Sequence, residues 1–219
     1  MNFILTSIFV PIFGAFGLSI LPKRIRPVLS VAILVITFSS VVFSIFALLK
    51  TKALSFSWWL NSWLSFSFFG DALAVFMAAV SSFVALLIGF YSLEYMQDYE
   101  ERNRFYFWML LFVGAMMGLV FSSNLMLMFC FWEITSVCSW RLIGFYRKEK
   151  DLKSADKAFL VTFFGASLML AGIIMIFLNY GTLNIPALRG LSIVNLSAFL
   201  ILCGVIAKSA QLPLQTWLP

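Results

Sequence analysis

The sequence predicts an all-α, polytopic integral membrane protein with six full transmembrane helices and a truncated, discontinuous seventh. Three observations carry that prediction. Of the 219 residues, 63% are hydrophobic and only 11% charged, whereas soluble domains carry about 25% charge. Mean hydropathy is +1.02. Apolar runs of the roughly 17–25 residues that cross a bilayer recur along the chain. Transmembrane β-strands would alternate in polarity instead, so a barrel is excluded.

The elements follow in order. Residues 3–21 lack a charged leader region and a small-residue cleavage site, and they read as a retained first helix. Residues 28–49 form the second. Between 54 and 69, LSFSWWLNSWLSFSFF alternates Ser with Phe or Trp around Asn61-Ser62. That pattern suits a short β-hairpin at the outer interface, with a Trp-rich interfacial helix as the alternative. Residues 72–93, 105–121, 125–146 and 158–178 supply helices three to six. The seventh starts near Leu191 and stays apolar to Ala207 before meeting Lys208 and Pro213. Proline removes a backbone donor and clashes with the preceding turn, so this helix should kink or break. No Pro-, Gly- or Ser-rich linker divides the chain. It is expected to be one membrane domain over 1–219, with helices one to three in 1–104 and four to seven in 105–219. Gly114 and Gly118 give the small-xxx-small spacing of close helix packing.

The placement of cations predicts orientation. Lys23, Arg24, Arg26, Arg102, Arg104, Arg147, Lys148, Lys150 and Lys153 fall in the odd-numbered links, against Lys50, Lys52 and Arg189 in the even ones. Nine against three places the N-terminus outside and the basic loops in the cytoplasm of a multi-pass inner-membrane protein. The net charge of +6 is therefore a topology signal. Nothing resembles a nucleic-acid-binding face.

The chain has no histidine, which removes the commonest general base and the commonest transition-metal ligand. Its three cysteines, at 130, 138 and 203, form no CxxC pair. No metal site, cofactor or nucleophile–base pair is expected. Any chemistry must rest on carboxylates, lysines and arginines.

Charged side chains at membrane depth cost roughly 2.5–3.5 kcal/mol each and need a reason. Glu133 is the ninth residue of the fifth helix, with Thr135, Ser136 and Ser139 close by. A buried carboxylate among polar groups can hold or release a proton as its surroundings change. Pairing to a neighbouring helix is the plainer reading. Lys208 follows 17 uncharged residues and stands beside the expected break at Pro213. Broken helices beside an ionisable group are how transporters build ion sites at depth; snorkelling to the interface is the alternative. Arg141 lies eight residues beyond Glu133, about 12 Å along the axis. It keeps its charge in essentially any environment, so it would tune Glu133 or reach headgroups. Lys157, with Asp156, opens the sixth helix and either pairs at the surface or faces the bundle.

Several motifs then stand in order: FGDALAVFM (69–77), YSLEYM (91–96), FWEITS with Glu133, LIGF (142–145), KAFLVT (157–162), GTLNI (181–185) and KSAQLPLQTWLP from Lys208. The set resembles the antiporter-like subunits shared by respiratory complex I, Mrp-type sodium/proton antiporters and membrane-bound hydrogenases. The resemblance covers about residues 54–219. It implies proton-pathway roles for Glu133 and Lys208, a supporting role for Lys157, and a discontinuous seventh helix. Trp140 and Arg141 stand where many members carry two large apolar residues, which alters the surroundings of Glu133. Gly165-Ala166 replaces the Gly-Asp of many complex I members, and the WE-I-T-S run leans toward the Mrp and hydrogenase relatives. Members continue past WLP into an eighth helix and a second, inverted repeat.

The expected function is thus proton or sodium/proton translocation by one subunit of a multisubunit membrane complex, through Glu133 and Lys208, coupled to neighbouring subunits. A truncated structural or assembly subunit of the same kind of complex is the alternative. Redox centres, if the complex is an NADH:quinone- or hydrogenase-type oxidoreductase, would belong to partner subunits. For charges about 10 Å apart at an effective dielectric near 20, Coulomb's law gives about 1.7 kcal/mol. That is enough to change proton occupancy more than tenfold.

Overall fold

Where the apolar runs stand, six helices among the described residues are long and apolar enough to cross a membrane. The structure, a computed structural model, describes residues 2–51, 53–59, 65–192 and 194–218. The helices are α1 (Asn2–Ile20), α2 (Arg26–Thr51), α3 (Ala72–Tyr95), α4 (Arg102–Phe121), α5 (Leu125–Ile143) and α6 (Glu149–Tyr180). A one-turn helix α7 (Ile185–Leu188), helix α8 (Asn195–Lys208) and a 3₁₀ turn (Gln215–Trp217) follow. Between α2 and α3, β1 (Leu54–Trp59) pairs with β2 (Ser65–Gly70) in a two-stranded sheet. The hairpin reading of this stretch therefore holds, and the Trp-rich helix does not form. Its expected turn at Asn61-Ser62 lies outside the described residues.

Helix α6 departs most from the apolar pattern. It starts at Glu149, nine residues before the apolar run, and its 32 residues span about 48 Å against a hydrocarbon core of about 30 Å. The run EKDLKSADK is rich in good helix formers, and Lys153 Nζ meets Glu149 Oε1 at 2.7 Å one turn away. Backbone propensity thus carries the helix beyond the apolar segment. At the other end Gly181 takes φ 66°, where glycine avoids a steric penalty, and its N–H donates to Phe177 O at 2.8 Å.

The chain forms two compact units, residues 1–57 with 67–122 and residues 58–66 with 123–219. In the first, α1 packs on α2 and α4, and α2 on α3. Leu34, Leu110, Ala15 and Tyr106 lie in its core. A Cβ on Gly114 would lie 2.5 Å from Ile12 Cγ1 and 3.0 Å from Ile8 O. Glycine there lets α4 touch the backbone of α1. Tyr106 Oη donates to Ser92 O at 3.0 Å, tying α4 to α3. The buried hydroxyls of α2 at Ser30, Thr37, Ser40 and Ser44 bond back one turn, as Thr37 Oγ1 does to Ile33 O at 2.9 Å, which satisfies them inside the helix. In the second unit α6 packs on α5 and α8, around Met169, Ile173, Ile176, Leu183 and Leu188.

Candidate functional site

Asn124 starts α5. Its side-chain oxygen accepts from the N–H groups of Met126 (3.0 Å) and Leu127 (3.1 Å), and its Nδ2 donates to Ser65 Oγ at 3.2 Å. Leu125 N–H donates to Leu183 O, and Ile185 N–H to Ser123 O. The first turn of α5 is thereby pinned to the segment between α6 and α7. Two turns further on stand Trp132, Glu133, Thr135 and Ser136. Positions 132, 135 and 136 share one helical face at i, i+3 and i+4 spacing. Both hydroxyls donate to Trp132 O, Thr135 Oγ1 at 2.7 Å and Ser136 Oγ at 3.1 Å.

Helix α8 brings Lys208 to that face. It lies close on α6 because small residues meet there. A Cβ on Gly165 would stand 2.2 Å from Ala207 Cβ, and one on Gly204 2.6 Å from Met169 Cβ. Lys208 Nζ donates to Trp132 O (2.8 Å), Thr135 Oγ1 (2.5 Å) and Ser136 Oγ (3.0 Å). It also stands 4.7 Å from the centroid of the Trp132 ring, in a cation–π position. An ammonium has three hydrogens to donate, and all three have an acceptor on α5.

The break after Lys208 comes earlier than proline chemistry suggested. Ala210 adopts a left-handed backbone with φ 51°, and Gln211 N–H reaches back to Ile206 O at 3.1 Å. This is a Schellman-type stop, complete before Pro213. Ala207 O, left open by the end of the helix, accepts from Trp217 Nε1 at 2.9 Å. Tryptophan in the 3₁₀ turn thus satisfies a backbone group that lipid could not.

Glu133 adjoins the cradle without joining it. Its Oε1 is buried with no hydrogen-bond partner, and no ion pair links it to Lys208 among the described residues. Glu133 directly follows Trp132, whose carbonyl and ring Lys208 contacts. Arg141 stacks over the ring of Trp140 at 4.3 Å. Trp140 Nε1 donates to Asp156 Oδ1 at 2.8 Å, and its ring lies 5.2 Å from that of Phe159. Arg141 sits about 8 Å along the axis from the hydroxyl pair. Lys157 is exposed on α6. The structure therefore brings Lys208 onto the turn that holds Glu133, and places Arg141 further along α5 and Lys157 on α6. Among the described residues no three His, Cys, Asp or Glu side chains cluster as metal ligands. The sequence had marked Thr135 and Ser136 only as polar neighbours of Glu133. Trp132 and Trp217 stood in the runs FWEITS and KSAQLPLQTWLP with no role assigned to either.

A family model described as NADH:quinone oxidoreductase/Mrp antiporter, TM matches residues 122–219. A second, described as NADH-ubiquinone oxidoreductase (complex I), chain 5 N-terminus, matches residues 59–106. The Na(+)/H(+) antiporter subunit A1 of Staphylococcus saprophyticus is 37% identical over 171 residues, covering 74% of this chain and 21% of that protein. NADH-quinone oxidoreductase subunit L of Buchnera aphidicola subsp. Acyrthosiphon pisum is 36% identical over 239 residues, 100% of this chain and 39% of that protein. The chain thus spans well under half the length of these relatives. Two solved structures share the fold. A chain of the archaeal membrane-bound sulfane sulfur reductase matches with TM-score 0.85 at 20% identity, over 99% of this chain and 47% of that one. A chain of the Mrp complex from Dietzia sp. matches with TM-score 0.82 at 22% identity, over 100% of this chain and 24% of that one. Glu133 and Lys208 both lie in the matched segment 122–219, and the chain belongs to the family of antiporter-like membrane subunits that Mrp antiporters and NADH:quinone oxidoreductases share.

Proposed function

We propose that this chain moves protons, or exchanges sodium for protons, as one subunit of a multisubunit membrane complex, with Glu133 and Lys208 as the groups that change charge. One observation supports this above all. A lysine at the end of an apolar helix is held on the turn of α5 that carries Glu133, whose Oε1 is buried. A carboxylate and an amine so placed offer two proton sites that influence each other electrostatically. Membrane subunits packed against the exposed apolar faces of the helices would couple that influence to their own changes of state. Nine cations in the odd links against three in the even ones support an outside N-terminus and cytoplasmic basic loops. The names of the relatives support sodium and proton as the ions to test first.

The test is ion translocation in inside-out vesicles containing the assembled complex. Glu133→Gln and Lys208→Ala should each lower the rate at least tenfold at unchanged subunit content. Wild-type rates in both variants would refute the proposal and leave a structural role for the chain.

A further inference from the structure

We infer that Thr135 and Ser136 are positioning residues for Lys208. Their hydroxyls, with the Trp132 carbonyl, form a cradle that holds the lysine beside Glu133 but off its carboxylate. The inference rests on the proposed role of Lys208 and adds the device that holds it.

The geometry argues as follows. Both hydroxyl oxygens lie within hydrogen-bond reach of Trp132 O, at 2.7 and 3.1 Å, so a hydroxyl that donates to that carbonyl keeps its lone pairs free to accept. Lys208 Nζ meets both hydroxyls and the same carbonyl within 3.0 Å, above the face of the Trp132 ring. A charged ammonium is therefore fully hydrogen-bonded without a carboxylate partner. Hydroxyls also rotate. When Lys208 is neutral, either can turn and donate to the amine nitrogen. The cradle therefore fits both protonation states, which a carboxylate partner alone would not. Glu133, with Oε1 unpaired, stays open to a second partner while Lys208 is docked. The ionisable side chains beside Lys208 are Glu133 and the buried, uncharged thiol of Cys138, both on α5. The 3₁₀ turn, Gln215–Trp217, carries no ionisable side chain, and Asp156 and Lys157 of α6 are exposed.

The experiment compares Thr135→Val, Ser136→Ala, the double variant and Thr135→Ser in vesicles of the assembled complex, recording translocation rate across pH. A hydrogen bond to a charged group is worth roughly tenfold or more in occupancy. Each lost hydroxyl should therefore displace the pH profile by about one unit, and Thr135→Ser should keep the wild-type profile. A purely structural role would lower the amount of complex and leave the profile of what remains in place. Should the double variant fail to assemble, Ser136→Ala decides alone: a displaced profile supports the cradle and an unmoved one overturns it. If Lys208→Ala abolishes translocation while the hydroxyl variants keep the wild-type profile, the cradle is refuted and the proposed function stands. If Lys208→Ala itself runs at the wild-type rate, the functional reading falls instead.

Discussion

A single methyl group should show how far the position of α8 depends on α6. In Gly165→Ala the new Cβ would lie 2.2 Å from Ala207 Cβ, whereas ordinary contact begins at 3.4 Å. The helices must separate there by about 1.2 Å. Neither atom belongs to a flexible side chain, so rotamer changes offer no relief. The Gly204 Cα, 3.4 Å away, closes the other direction. Overpacking of this kind costs about 1–3 kcal/mol. Because Ala207 precedes Lys208, the displacement falls on the residue whose hydrogen bonds to α5 are 2.5–3.0 Å long. The assays are thermal denaturation of the purified complex in detergent and translocation in vesicles. Gly165→Ala should lower both, and adding Ala207→Gly, which returns the methyl's space from the other side, should restore most of each. A Gly165→Ala variant that melts and pumps like the wild type, or a double variant no better than the single, would refute the close-packed seam.

Two further outcomes follow from helix ends. Asn124→Ala removes the acceptor for two N–H groups and the bond to Ser65. It should cost about 1 kcal/mol, read as faster hydrogen exchange at Met126 and Leu127. Ala210→Gly relieves a left-handed alanine at φ 51° and should stabilise the complex by about 1 kcal/mol, seen as a higher melting temperature with translocation unchanged.

Much of the fold could be read from composition because a bilayer imposes a simple rule: long apolar segments become helices. That rule located six spans, and the alternation of Ser with Phe or Trp located the hairpin between the second and third. It failed at the start of α6, where 149–157 is polar yet helical, because hydropathy does not report backbone propensity. At the end of α8 proline chemistry pointed to Pro213, whereas the stop lies at Ala210 and depends on a backbone conformation no residue type announces. Glu133 and Lys208 were legible as site candidates because charge is costly at depth. Their relation was not. The expected pair at about 10 Å interacting only through charge proved to be a lysine held by three acceptors, with the carboxylate left to one side.

The sequence by itself determined the membrane class, the spans, and which few ionisable groups lie among them, since transfer free energies act residue by residue. Only tertiary structure decided what those groups touch. Residues 132 and 208 lie 76 positions apart, and their meeting depends on Gly165, Gly204 and Ala207 letting α8 close onto α6. Hydrogen bonds form over about 3 Å, a scale set by packing across the whole unit, and no local pattern in the chain encodes it.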